Sequence, residues 1–169
     1  MKSVGVTVAD QGAGIVSVER SPFIGPLPKG IDGPDHILAT DIQRLPFDVS
    51  AVAKRLREMD EPDTAFHIDA DGLGAALWTV LDGPSNPQHW QLYSGRGLER
   101  QSLVDELVVV IEQGRFHFAP RLVEQDAMSK GLVGYRRQVK EDGLIGSELV
   151  VALLLAIRPL PVKAWFAYA

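Results

Sequence analysis

The sequence predicts a single α/β domain over residues 1–169, built on a sheet with parallel members and flanked by helices. Three observations carry that prediction. A strand-like run, Ala65-Phe66-His67-Ile68-Asp69, leads through a glycine turn straight into a helix-forming run from Gly72 to Leu81, which is the βα unit of a sheet with parallel strands. A similar alternation follows, with His89 to Tyr93 as a strand and Arg100 to Gln113 as a helix. A length of 169 residues suits one hydrophobic core, since typical domains run to roughly 100–150 residues, and no repeat, low-complexity tract or linker divides the chain.

Taken in order, Ser3 to Ala9 and Ile15 to Glu19 read as two β-runs joined by Asp10-Gln11-Gly12-Ala13-Gly14, whose glycines suit a tight hairpin connection. Pro and Gly then crowd residues 21–34 and break both helix and ladder, so a surface loop is expected there. A third strand is expected within His36 to Leu45. Asp48 or Ser50 can cap the next helix, whose apolar face is Val49, Val52, Ala53, Leu56 and Met59 at helical spacing. From Arg100 to Gln113, Leu103, Leu107, Val110 and Ile111 share one helical face, and Gly114 stops the helix. A short strand, Arg115 to Phe118, a helical piece, Leu122 to Met128, and a strand-like run, Leu132 to Val139, come next. Ser147 is placed to cap a last apolar helix, and the chain beyond Ile157 forms a tail.

The composition excludes several chemistries. With no Cys there is no disulfide framework, thiolate zinc site or cysteine nucleophile, so any metal must be held by carboxylates, histidines or water. The start of the chain lacks a long apolar run and a small-residue cleavage site, and the apolar stretch Leu149 to Ile157 is shorter than the roughly 20 residues of a membrane span. A cytoplasmic protein without a membrane partner is expected. A net charge of −5 gives no standing attraction to nucleic-acid phosphate, which leaves bound metal or a local basic patch as the ways to meet DNA. No phosphate-binding Gly-x-x-x-x-Gly-Lys-Ser/Thr loop, Gly-x-Ser-x-Gly or His-Glu-x-x-His occurs, and Gly12-Ala13-Gly14 is too short for a dinucleotide fingerprint.

Three stretches resemble the RNase H-like nuclease domain of phage terminase large subunits, and the similarity spans nearly the whole chain. Ile68-Asp69-Ala70-Asp71-Gly72-Leu73-Gly74 looks like that family's strand-end aspartate, glycine turn and small-residue helix. Gly95-Arg96 to Leu107, with Ile111-Glu112-Gln113-Gly114-Arg115-Phe116-His117-Phe118, resembles its helix, glycine stop and short strand. Gly146-Ser147-Glu148-Leu149-Val150-Val151-Ala152-Leu153 looks like its closing helix, where one or two aspartates precede an apolar run. The resemblance implies an RNase H-like mixed central sheet flanked by helices, and a divalent-metal DNA endonuclease that cuts concatemeric DNA during packaging. It implies Asp69 and Glu148 as catalytic, metal-binding acids and Mg2+ or Mn2+ as the metal, with Asp10 as the acid that could substitute as a third ligand. The implied partners are double-stranded DNA and, among proteins, a terminase ATPase chain, a small terminase subunit or a portal protein.

The sequence departs from the pattern in its first strand, Val4-Gly5-Val6-Thr7-Val8-Ala9-Asp10, where Thr7 stands in place of the expected aspartate. A neutral threonine removes a bridging charge from a two-metal centre. Asp10, three residues on, lies by strand alternation on the opposite face. A degenerate site is therefore expected, and a non-catalytic remnant that binds DNA or protein is the alternative function. An unrelated α/β protein with coincidental motifs is a third.

Local readings compete residue by residue. A strand-ending Asp69 before a glycine turn can simply shape the turn, Asp71 can cap the following helix, and Glu148 favours the positive end of any helix. His67 shares a face with Asp69, but a histidine inside an apolar strand is more often packed and hydrogen-bonded. The basic clusters Arg136, Arg137, Lys140 and Lys54-Arg55-Arg57 could meet a DNA backbone, although a solvated edge is commoner.

Overall fold

The protein is described by a computed structural model that covers residues 2–9, 12–21, 36–71, 73–81, 89–93, 98–138 and 148–158. Six strands and five helices follow in the order β1 (Lys2–Ala9), β2 (Gly12–Ser21), β3 (His36–Leu45), α1 (Val49–Glu58), β4 (Thr64–Asp69), α2 (Gly74–Val80), β5 (Trp90–Tyr93), α3 (Leu98–Glu112), β6 (Phe116–Phe118), α4 (Gln125–Gln138) and α5 (Glu148–Ala156). The expected Pro/Gly loop, Asp10, Ser147 and the tail lie outside the described residues.

The strands form one sheet in the order β5-β4-β1-β2-β3-β6. β1, β2 and β3 pair antiparallel as a meander, whereas β4 joins β1, β5 joins β4 and β6 joins β3 in parallel. This is the mixed α/β arrangement expected of an RNase H-like fold. The opening hairpin is tighter than the glycine-rich stretch predicts, because Gly12 to Gly14 are already paired in β2, opposite Ala9 to Thr7. A bulge between Ser17 and Val18 adjusts the register of β2 against β3.

Strand alternation sends the two sides of β1 into different cores. Val4, Val6 and Val8 pack with Ala13, Ile15, Phe66 and Ile68 against Val52, Ala53 and Leu56 of α1 and Leu77 of α2. On the other side, α5 buries Leu149 to Ala156 together with Val16, Val104, Leu107 and Met128. Asp48 caps α1 as expected, its carboxylate accepting from the Ser50 and Ala51 amides at 2.9 and 3.1 Å. Gly114, at φ 66°, follows α3 as the expected stop.

One element differs in kind. The predicted strand Leu132 to Val139 is instead the second half of α4, continuous from Gln125 to Gln138. Met128, fully buried, and Leu132, partly buried against the same core, stand four residues apart as one helical stripe, while Val133 is 59% exposed. A short run of apolar residues does not by itself distinguish strand from helix.

Candidate functional site

The candidate site is a row of residues across the end of the sheet beneath the start of α5. Val6 lies beside Ile68 in the parallel β1/β4 register, which brings Thr7 and Asp69 together one residue further on. Thr7 pairs with Gly14, Gly14 with Arg44, and Asp69 with Tyr93. Directly paired residues project from the same side of a sheet, so Tyr93, Asp69, Thr7, Gly14 and Arg44 line one face over five strands.

Two glycines seat α5 on that face at backbone distance. A Cβ on Gly5 would lie 1.8 Å from the Ala152 carbonyl oxygen, and one on Gly14 would lie 2.7 Å from the Glu148 carbonyl oxygen. No real Cβ tolerates such distances, so the helix can lie this low only over glycine. Glu148, the first residue of α5, is thereby fixed directly above Gly14.

Asp69 is 4% exposed, and both of its carboxylate oxygens accept hydrogen bonds. Thr7 Oγ1 donates to Oδ2 at 3.3 Å, and the Asp71 amide donates to Oδ1 at 3.0 Å. The second contact is the turn-forming use of an aspartate at a strand end. Asp71 does not take the expected capping position, since Leu73 is the N-cap of α2 and no side chain caps it. Glu148 turns to Arg44, whose Nε lies 2.9 Å from Oε1.

These directions decide what the site can hold. Asp69 stands on β4 and Gly14, under Glu148, on β2, with β1 between them, so two strand spacings of about 4.8 Å each separate their backbones. The Glu148 carboxylate pairs toward β3, away from Asp69, and the residue between the two acids is Thr7, an uncharged donor. A two-metal centre needs several carboxylates converging on ions about 4 Å apart. Among the described residues no three His, Asp or Glu side chains are grouped to hold a metal ion. As arranged, Thr7, Asp69 and Glu148 do not fit such a centre. Asp10, the third acid of the expected set, lies outside the described residues.

His67, two residues before Asp69, is fully buried, and neither ring nitrogen has a hydrogen-bond partner among the described residues. Burial, reinforced by the Arg158 charge, lowers its pKa from 6.5 to about 4. It is a packed, neutral residue, without the hydrogen bond its setting in the strand suggests. Arg158 itself lies over the Tyr93 ring, 4.0 Å from the centroid. Of the basic clusters, Arg55 is engaged by Gln43 and Glu58 at 2.9 and 3.2 Å, and Arg57 donates to the Val80 carbonyl at 2.8 Å. Both belong to α1, across the sheet from the acid row. The Arg136 and Arg137 side chains and Lys140 lie outside the described residues.

Sequence reasoning misses Arg44, the residue that occupies Glu148. Nothing local marks it, since it is one arginine in a strand and its partner arrives from the far end of the chain.

No family model matches the chain, and no curated protein matches it. Among solved structures, it is similar to the nuclease domain of human cytomegalovirus terminase, determined manganese-soaked and inhibitor-bound. The two are 12% identical with a TM-score of 0.47, and the match covers 91% of this chain and 81% of that one. The similarity is one of fold. Within the described residues, no helix is long and apolar enough to cross a membrane.

Proposed function

We propose that this chain is a terminase-type nuclease domain, of phage or prophage origin, whose acid centre is degenerate, and that it serves DNA packaging as a non-cutting module. The observation that carries the reading is the pairing at the acid row. Thr7 donates to Asp69 where a second carboxylate is expected, and Arg44 occupies Glu148. Hard divalent ions are held by converging oxygen charge, and among the described residues the converging charge is reduced to one aspartate. The module would act in the host cytoplasm on double-stranded DNA, through a terminase ATPase chain, a small terminase subunit or a portal protein.

A second reading keeps the nuclease activity, with Mg2+ or Mn2+ as cofactor and Asp69, Glu148 and Asp10 as its acids. It is favoured by one observation: Asp69 and the start of α5 lie over the same face of the sheet. Plasmid cleavage across manganese and magnesium concentrations, with Asp69→Ala prepared identically, separates the two. The module reading expects equal, negligible nicking by both proteins. Manganese-dependent nicking that disappears in Asp69→Ala would establish the nuclease instead.

A further inference from the structure

The acid row ends on β5, the outer strand of the sheet, where Tyr93 pairs with Asp69 and so stands about one strand spacing, roughly 4.8 Å, from it along the backbone. Over Tyr93 lies Arg158, two residues past the end of α5, with its guanidinium carbon 4.0 Å from the ring centroid. The ring holds the head of a long side chain in place, while the donors that match a carboxylate or phosphate lie in the guanidinium plane and are not used by a ring beneath it. Tyr93 itself is 5% exposed, too covered to stack a base, so the ring serves the arginine.

The charge of Arg158 has no counter-ion. Arg20 is paired with Glu106, Arg44 with Glu148, and Arg55 with Asp41 and Glu58, whereas Arg158 makes no ion pair among the described residues and remains partly exposed. Its field reaches inward to His67, whose pKa it helps to lower. Asp69, the acid on the adjacent strand, turns its carboxylate to the Thr7 hydroxyl and the Asp71 amide.

We propose that Arg158, backed by Tyr93, is a phosphate contact for double-stranded DNA at the β5 end of the acid row. The inference rests on the reading of the chain as a module that acts on DNA, and it names the residue through which the row meets the backbone. A guanidinium fork matches two oxygens of one phosphate, and such a contact positions a duplex without reading its sequence. In a chain of net charge −5 the attraction has to be local, and a held, uncompensated arginine supplies it.

The test is the anisotropy of a fluorescent DNA duplex of mixed sequence titrated with the full chain in EDTA, over about 50 to 200 mM salt. Arg158→Gln is compared with Lys54→Gln, which removes the same charge from an exposed position on α1, across the sheet. Arg158→Gln should weaken binding about tenfold and reduce the slope of log affinity against log salt by about 0.9, the share of one phosphate, with Lys54→Gln close to the wild type. Arg158→Lys keeps the charge without the fork, so it should keep the slope and bind several-fold more weakly; this variant decides if Arg158→Gln does not fold. Equal slopes in Arg158→Gln and Lys54→Gln, or wild-type affinity in Arg158→Lys, would overturn the contact and leave the DNA-binding reading standing. No binding by the wild type at any salt concentration would overturn that reading, and the contact with it.

Discussion

On the side of the sheet that faces α1 and α2, Val4, Val6 and Val8 of β1 meet Val52, Leu56 and Leu77 side chain against side chain. On the side that faces α5, the same strand presents Gly5 and Thr7, and the helix rests on backbone. The first kind of packing is adjustable, because side chains can change rotamer and refill space at modest cost. The second fixes positions to within a fraction of an ångström, since a peptide group cannot be trimmed. Asp69, Glu148 and the buried His67 all lie on the second side. The rigid contact is thus found where a catalytic geometry would need it.

The largest expected effect comes from breaking the backbone contact. Gly5→Ala drives a Cβ to 1.8 Å from the Ala152 carbonyl oxygen and should cost more than about 4 kcal/mol, seen as loss of cooperative unfolding in urea. On the other side, Leu56→Ala removes a fully buried side chain and should cost about 2–5 kcal/mol, leaving a folded, cooperative protein. If the two variants were equally tolerated, the distinction between the faces would fail.

Three smaller effects sharpen it. Thr7→Asp sets a second carboxylate beside Asp69 at a position only 5% exposed, and in EDTA this unpaired buried charge should cost about 3 kcal/mol. Manganese should return part of that stability in a thermal melt if the remaining scaffold is still that of a metal site. His67 gives a pH signature from the same side. Its folded pKa of about 4 lies below the ordinary 6.5, so the unfolded chain binds the proton first as pH falls. Stability should therefore drop between pH 6.5 and about 4, and level off below, by about 3 kcal/mol for this group. Denaturant titrations of the wild type and His67→Leu across that window, in EDTA, should show a shallower fall in the variant. Finally, Asp48→Ala removes only the α1 cap and should cost about 1 kcal/mol, read as a shift in urea midpoint with an unchanged slope.

Much of this was legible in the sequence because it is local. The Asp48 cap, the run into Asp69 and the turn beyond it, and the stop at Gly114 each depend on neighbours a few residues away. α4 was misread because the run from Leu132 suits a strand as well as a helix, and only the stripe from Met128 to Leu132 against the core decides between them. At the site, Asp69 and the opening of α5 could be located, but not the direction of the Glu148 side chain. That depends on Arg44, brought beside it by sheet pairing and by the seat over Gly14. The hydrogen bond between the rings of His36 on β3 and His117 on β6 escaped for the same reason, since its members stand 81 positions apart and no spacing rule links them.

The glycine seat also bears on how such a domain can drift. Because α5 is seated on the sheet backbone at Gly5 and Gly14, a change of side chain at Thr7 or Glu148 should leave its placement intact. In a domain that drifts as proposed above, chemistry and architecture would be inherited separately. A lineage can lose the first one substitution at a time while selection on assembly preserves the second, so the glycines should outlast the acids.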